Sequence, residues 1–139
     1  MNELNVLIVD DERDYLDTLK KRLEKRGLKI TEIENGEEAL EWLKCNFVDV
    51  VLLDVRMTGL DGIQVLREIK KQYPLTEVIM LTGHASTEVA IEGMELGAFD
   101  YLMKPVDFDE LLYKIQDAHR KKSIQEEKIR GMEKLVTGK

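Results

Sequence analysis

The residues best suited to chemistry in this chain are three carboxylates, a hydroxyl and an ammonium. Each lies just past an apolar run. Asp10 and Asp11 follow Val6-Leu7-Ile8-Val9, Asp54 follows Val50-Val51-Leu52-Leu53, Thr82 follows Val78-Ile79-Met80-Leu81, and Lys104-Pro105 follows the run ending at Met103. If the runs are strands of one parallel sheet, their carboxyl ends open onto a common crevice, where open α/β sheets bind ligands. Three carboxylates gathered there repel, and one is driven toward protonation unless a cation sits among them. An all-oxygen donor set with few protein ligands suits Mg2+, which keeps part of its water and binds beside phosphate oxygens. Lys104 adds a second, movable positive charge, and Thr82 adds a hydroxyl that can donate to a phosphoryl oxygen. A carboxylate can itself attack phosphorus and become an aspartyl phosphate. That transfer needs mostly positioning and charge neutralisation.

The elements that must position these groups follow from periodicity. Five apolar runs, Leu4 to Val9, Leu28 to Ile33, Val48 to Leu53, Val78 to Leu81 and Phe99 to Met103, alternate with helical patterns. Three contain continuously apolar stretches, as expected of strands covered on both faces of a parallel sheet. The run around Ile30 is interrupted by Lys29, Thr31 and Glu32, which predicts a half-exposed edge strand. Leu16, Leu19 and Leu23 mark a first helix that Gly27 closes. Ala39, Leu40 and Leu43 mark a second after Asn35-Gly36, and Ile63, Leu66 and Ile69 a third before Pro74. Ala90 and Met94 mark a fourth, with Ser86 and Thr87 able to cap its start and Gly97 just past it. Phe108, Leu111, Leu112, Ile115 and Ala118 mark a fifth, opened by Asp107. Strand–helix alternation of this kind predicts a doubly wound α/β fold with right-handed crossovers and helices on both faces.

The stretches Val9-Asp10-Asp11, Leu52-Leu53-Asp54-Val55-Arg56-Met57, Leu81-Thr82-Gly83 and Lys104-Pro105 together resemble the receiver domain of two-component response regulators. The resemblance covers Leu4 to Ala118, and its specificity lies in four weak motifs standing in order, each at a strand end. It implies a five-stranded parallel sheet of order 2-1-3-4-5. It implies that Asp54 accepts a phosphoryl group, and that Mg2+ is held by Asp10, Asp11, Asp54 and the backbone carbonyl of Arg56. Thr82 and Lys104 match the phosphoryl-sensing hydroxyl and lysine, and Tyr101 matches an aromatic that changes rotamer on activation. The Lys104-Pro105 bond is similar to one that is cis in the family. The expected partners are a sensor histidine kinase or phosphotransfer protein and an unidentified output domain or protein. Four positions depart from or tune the pattern: Thr58 stands where proline is frequent, the pair Gly83-His84 is similar to that of nitrogen-regulation-type regulators, and Arg56 and His84 occupy positions that set dephosphorylation rate.

Composition sets the outer bounds. The chain has 139 residues, 43% hydrophobic and 35% charged, which fits one folded domain. Cys45 is the single cysteine, so no internal disulfide forms, and a reducing, cytoplasmic setting is expected. No apolar run approaches membrane-spanning length. The net charge of −7 argues against direct binding of nucleic acid. From Arg120 to Lys139 the balance reverses, with 7 basic and 3 acidic residues. This division predicts a receiver unit over 1–120 and a helical extension or linker stub over 121–139. Ile129, Met132 and Val136 continue the apolar seam of the fifth helix, which allows a short homodimeric coil. Lys122 and Gln125 interrupt that seam, and Gly131 weakens the helix, which favours a solvated linker. Two enzyme-like readings fail on motifs. A phosphatase of the haloacid dehalogenase type resembles Asp-x-Asp-x-Thr, but Arg56 stands two residues after Asp54. A nucleotide switch needs G-x-x-x-x-G-K-[ST], which is absent. A third alternative is a receiver-like scaffold that binds partners without phosphate.

Overall fold

The structure is a computed structural model that describes residues 3–56, 61–83 and 87–137. Met57, Thr58, His84 and Ser86, singled out above, lie outside the described residues. The elements run β1 (Asn5–Val9), α1 (Arg13–Lys25), β2 (Lys29–Ile33), α2 (Gly36–Leu43), β3 (Val50–Asp54), α3 (Gly62–Gln72), β4 (Glu77–Thr82), α4 (Thr87–Glu95), β5 (Asp100–Met103) and α5 (Phe108–Thr137). The strands form one parallel sheet of order β2-β1-β3-β4-β5. This is the doubly wound topology expected from the alternating pattern, and β2 is an edge strand with one fully buried residue, Ile30.

Alternation along the strands sorts the core into two layers. Val6, Ile8, Val50, Leu52, Ile79 and Leu81 face α1 and α5, where they meet Leu16, Leu19, Leu23, Leu111 and Ile115. Leu7, Val9, Val51, Leu53, Val78 and Met80 face the other way, toward Ala39, Leu43, Ile63, Leu66 and Ile69 of α2 and α3. The helix ends follow local chemistry. Asn35 accepts from the Glu38 amide at 2.9 Å at the start of α2, and Gly27, at φ +87°, ends α1. The fourth helix differs from its sequence pattern. Met94 and Ile91 are exposed, and Gly93 is the buried residue. A Cβ there would overlap the Met80 thioether, so α4 approaches the sheet through Gly93, with Val89 packed beside it against the same core layer.

Gly62, at the first turn of α3, fixes the site's floor. A Cβ at this position would stand 2.5 Å from the Val55 Cα and 2.8 Å from the Asp54 carbonyl oxygen, both backbone atoms. Neither can give way without moving the end of β3. Gly62→Ala is therefore expected to destabilise the protein by about 1–3 kcal/mol. Chemical denaturation checks this; a loss within experimental error would mean that α3 re-seats freely.

The fifth helix does not break near residue 120. It continues as one helix to Thr137, with its last turns carrying exposed Met132, Leu135 and Val136. Among the described residues no helix is long and apolar enough to cross a membrane.

Candidate functional site

The carboxyl ends of β1, β3 and β5 bring their polar residues together. Asp10, directly after β1, is almost fully buried, and Asp54, the last residue of β3, is 4% exposed. Lys104, just past β5, reaches both. Its ammonium lies 2.6 Å from Asp10 Oδ2, 2.9 Å from Glu12 Oε1 and 3.5 Å from Asp54 Oδ2. The same ammonium stands 4.5 Å from the centre of the Tyr15 ring, within cation–π range. The second oxygens of the two aspartates are held by backbone. Asp10 Oδ1 accepts from the Glu12 amide at 2.9 Å, and Asp54 Oδ1 accepts from the Arg56 amide at 3.0 Å. Each carboxylate is thus aimed from one side by a turn of its own strand end and from the other by Lys104.

Electrostatics at this end of the sheet follow from crowding. Burial, and then the charge of Asp10, push the Asp54 carboxyl up to about 6, against the Arg56 amide and Lys104, which pull it down. Burial alone would weaken the charged form of Lys104. The hydrogen bonds to Asp10 and Glu12, with the charges of Asp10 and Asp54, reverse this and hold the ammonium above the usual lysine range. Burial likewise raises the Tyr15 phenol.

The other expected residues take distinct places. Thr82 ends β4 and is buried, and its carbonyl accepts from the Lys104 amide at 2.8 Å, which ties the end of β4 to the lysine's loop. Tyr101 sits on β5 in register with Met80, half-buried against the α2/α3 layer. The Lys104-Pro105 bond is cis. Asp11 lies in the exposed bend between β1 and α1. Among the described residues, the group of carboxylates whose oxygens lie within 4.8 Å of one another is Asp10, Glu12 and Asp54. Glu12 and Tyr15 are the two residues that sequence reasoning missed. The available signal was a glutamate directly after the acidic pair and an aromatic three residues on, a helical spacing that puts both on one face of the first turn.

A family model described as "Response regulator receiver domain" matches residues 6–116. The chain belongs to the response regulator receiver domain family. As a receiver it is a phospho-accepting signalling switch. The receiver is 41% identical over 113 residues to the DNA-binding transcriptional regulator NtrC of Escherichia coli (strain K12), a match covering 81% of this chain and 24% of that protein. It is 38% identical over 117 residues to the transcriptional regulatory protein ZraR of the same strain, covering 84% and 26%. The receiver therefore spans about a quarter of the length of these relatives. Among solved structures it is similar to a CheY-like receiver domain protein from Methanospirillum hungatei JF-1, with TM-score 0.86 and 31% identity over 89% of this chain and 99% of that one. A receiver domain protein from Clostridium thermocellum aligns with TM-score 0.83 and 39% identity, covering 88% and 98%.

Proposed function

We propose that Asp54 is the carboxylate that takes the phosphoryl group, with Mg2+ held by Asp10, Asp11, Asp54 and the backbone carbonyl of Arg56. The observation that carries this reading is the convergence of Asp10 and Asp54 on the Lys104 ammonium, at 2.6 and 3.5 Å. The residues fit the ion. The donors are hard oxygens, and burial, with the charge of Asp10 beside it, pushes Asp54 up to about 6. Glu12, within the same group, would add a further carboxylate oxygen beside the ion. Bound there, Mg2+ would neutralise the carboxylates and the phosphoryl oxygens.

The chain's own residues perform the transfer. An Asp54 oxygen attacks phosphorus, and an O–P bond forms as the P–N bond to a donor imidazole breaks. The bonding pair stays on the imidazole nitrogen, which takes up a proton. The donor class is the phosphohistidine of a sensor histidine kinase or phosphotransfer protein. Lys104 then exchanges its contact with Glu12 for a phosphoryl oxygen, and the Thr82 hydroxyl moves to another. Tyr101 fills the space that Thr82 leaves. One charge-assisted hydrogen bond contributes about 1.5–3 kcal/mol, whereas inverting a 1:99 equilibrium needs about 5.5 kcal/mol. Thr82 cannot drive the switch alone, so Lys104 contributes. Thr82→Ala is expected to accept phosphate yet transmit poorly. Equal partner binding by fully phosphorylated mutant and wild type would refute that role.

The output surface on this reading is α4, β5 and α5, where Ile91, Met94, Met103 and Tyr113 are exposed. Its partner is an output domain or protein in the cytoplasm, DNA-binding as in the name of the NtrC relative, while this chain itself does not contact nucleic acid. The receiver unit occupies 1–120, and 121–139 is an extension or linker stub, helical through Thr137 and able to bring two copies together. The chain acts as a phosphoacceptor rather than an enzyme on an external ester, because the acid two residues past Asp54 is replaced by Arg56.

The test is intact mass after incubation with Mg2+ and acetyl phosphate, alongside a chelator and Asp54→Asn. Gain of one phosphoryl group, lost in both controls, is expected. No gain with any donor or metal would instead favour the phosphate-independent scaffold.

A further inference from the structure

The ends of the sheet opposite the acceptor site hold a second set of buried charges. Asp49, directly before β3, and Glu77, the first residue of β4, are 6% and 3% exposed. Neither serves the phosphoryl site. Both face the C-terminal part of α5, past the last residue matched by the family model. Lys122 is 2% exposed, an unusual state for a lysine. Its ammonium lies 3.4 Å from Asp49 Oδ1 and 2.9 Å from Glu126 Oε2, and 4.4 Å from the centre of the Phe47 ring. Asp49 Oδ2 accepts from the Asn5 amide at 2.9 Å, and His119 Nε2 stands 3.9 Å from Asp49 Oδ1. One residue earlier, Lys121 reaches Glu77 Oε2 at 3.1 Å, and Glu77 Oε1 also meets Lys70 at 3.4 Å.

We propose that these pairs form a clamp that holds the outgoing part of α5 in one register against the N-terminal ends of β3 and β4. These are the strands whose other ends carry Asp54 and Thr82. The extension beyond residue 120 is then a docked continuation of the domain rather than a free linker, and its direction is fixed relative to the phosphoryl site. The argument rests on the cost of burying charge. A buried ion pair contributes little over an apolar one of the same shape, but it penalises every register in which one partner is left alone. Rotating or sliding α5 would strand Lys122 beneath Phe47 or Asp49 beneath the helix. An apolar residue at 122 would tolerate such slippage. The Lys121–Glu77 pair is half-exposed on the lysine side and adds a weaker second point. Past Glu126 the helix carries exposed side chains and has only its own short length to support it, so the clamp marks where rigid docking ends.

Amide hydrogen exchange of the full chain tests this at residues 121–128, with β3 amides as the internal reference. In the wild type, protection at 121–128 should persist well above that of the terminal turn. Lys122→Met keeps the length and apolar stem but strands Asp49, and exchange at 121–128 should rise about a hundredfold or more, the scale for deleting one member of a buried pair. The β3 reference should stay within about threefold. The pair Asp49→Asn with Lys122→Met removes the stranded charge and should restore most of the protection. Phosphoryl uptake from acetyl phosphate should be unchanged in both variants. Unprotected amides at 121–128 in the wild type, or equal protection in wild type and Lys122→Met, would overturn the clamp. So would a double variant as unprotected as the single one, because packing rather than charge would then be responsible.

Discussion

Lys104→Met is expected to be less stable than the wild type by about 3–5 kcal/mol at pH 7.5 in the presence of a chelator. Lys104 is the cation that Asp10 and Asp54 share, and its side chain is only 11% exposed. Without it two buried carboxylates face each other, and neither the Glu12 amide nor the Arg56 amide carries a full charge to offset them. The dependence on pH follows from sign. Loss of Lys104 removes a charge that holds the Asp54 carboxyl down and so raises it further in the folded state, and a raised carboxyl favours the folded state only while it holds its proton. The deficit is therefore full above neutrality and shrinks as pH falls through the region of 6, where Asp54 already titrates in the wild type. Mg2+ should recover much of the loss, because the ion takes the place of the missing charge. Phosphoryl uptake should slow by about 10²–10³-fold, the scale for losing one preorganised donor to a charge-developing oxygen. Thermal melts at pH 7.5 and 5, with and without Mg2+, measure the first effect, and the time course of mass gain measures the second. A variant as stable as wild type in chelator at pH 7.5 would show that the lysine contacts are idle.

How much of this could be read from the sequence depends on whether the signal was local. The strands and the doubly wound fold class follow from apolar runs alternating with helical patterns, which is one-dimensional information, whereas the strand order is what the resemblance carried by Asp10, Asp54, Thr82 and Lys104 implies. The position of Gly62 is not. Its requirement arises from the Asp54 carbonyl and the Val55 Cα pressing on it from the preceding strand. The α4 face misled for a related reason: Ala90 and Met94 stand at helical spacing, yet Met94 is exposed and the approach to the sheet is made by Gly93 against Met80, with Val89 beside it. Lys122 shows the limit most clearly. As a charged residue in the seam of Leu111, Ile115 and Ala118 it argues for a helix that leaves the body. Its partner Asp49 is far away in sequence, so the burial of the pair has no local signature. Glu12 is the corresponding case at the phosphoryl site. It stands beside the acidic pair in sequence, but only the reach of Lys104 from the far end of the chain draws it in.

Asp54→Asn should abolish phosphoryl uptake and, in chelator, make the protein more stable. The two effects have one origin. An amide is not a nucleophile toward phosphorus under these conditions, so mass gain should fall to nothing even with Mg2+ and excess donor. The same change removes a charge that the fold opposes. The folded Asp54 carboxyl titrates at about 6 against an ordinary 3.8, so between these values the folded chain holds a proton that the unfolded chain has released. Stability then falls as pH rises through that window, and the full penalty is present above it. The difference corresponds to about 3 kcal/mol if fully expressed. Water reaching the open strand ends screens part of it, leaving about 1–2 kcal/mol. Asparagine keeps an oxygen for the Arg56 amide and does not carry the charge. The expected result is a melting temperature higher by about 3–8 °C at pH 7.5, converging with wild type near pH 4. Saturating Mg2+ should reverse the order, because it stabilises the protein that retains the third carboxylate more than the one that lacks it. A wild type that outlasts Asp54→Asn in chelator at pH 7.5 would mean that Lys104 and the backbone already satisfy Asp54. The crowding that makes this end of the sheet a cation site would then be absent.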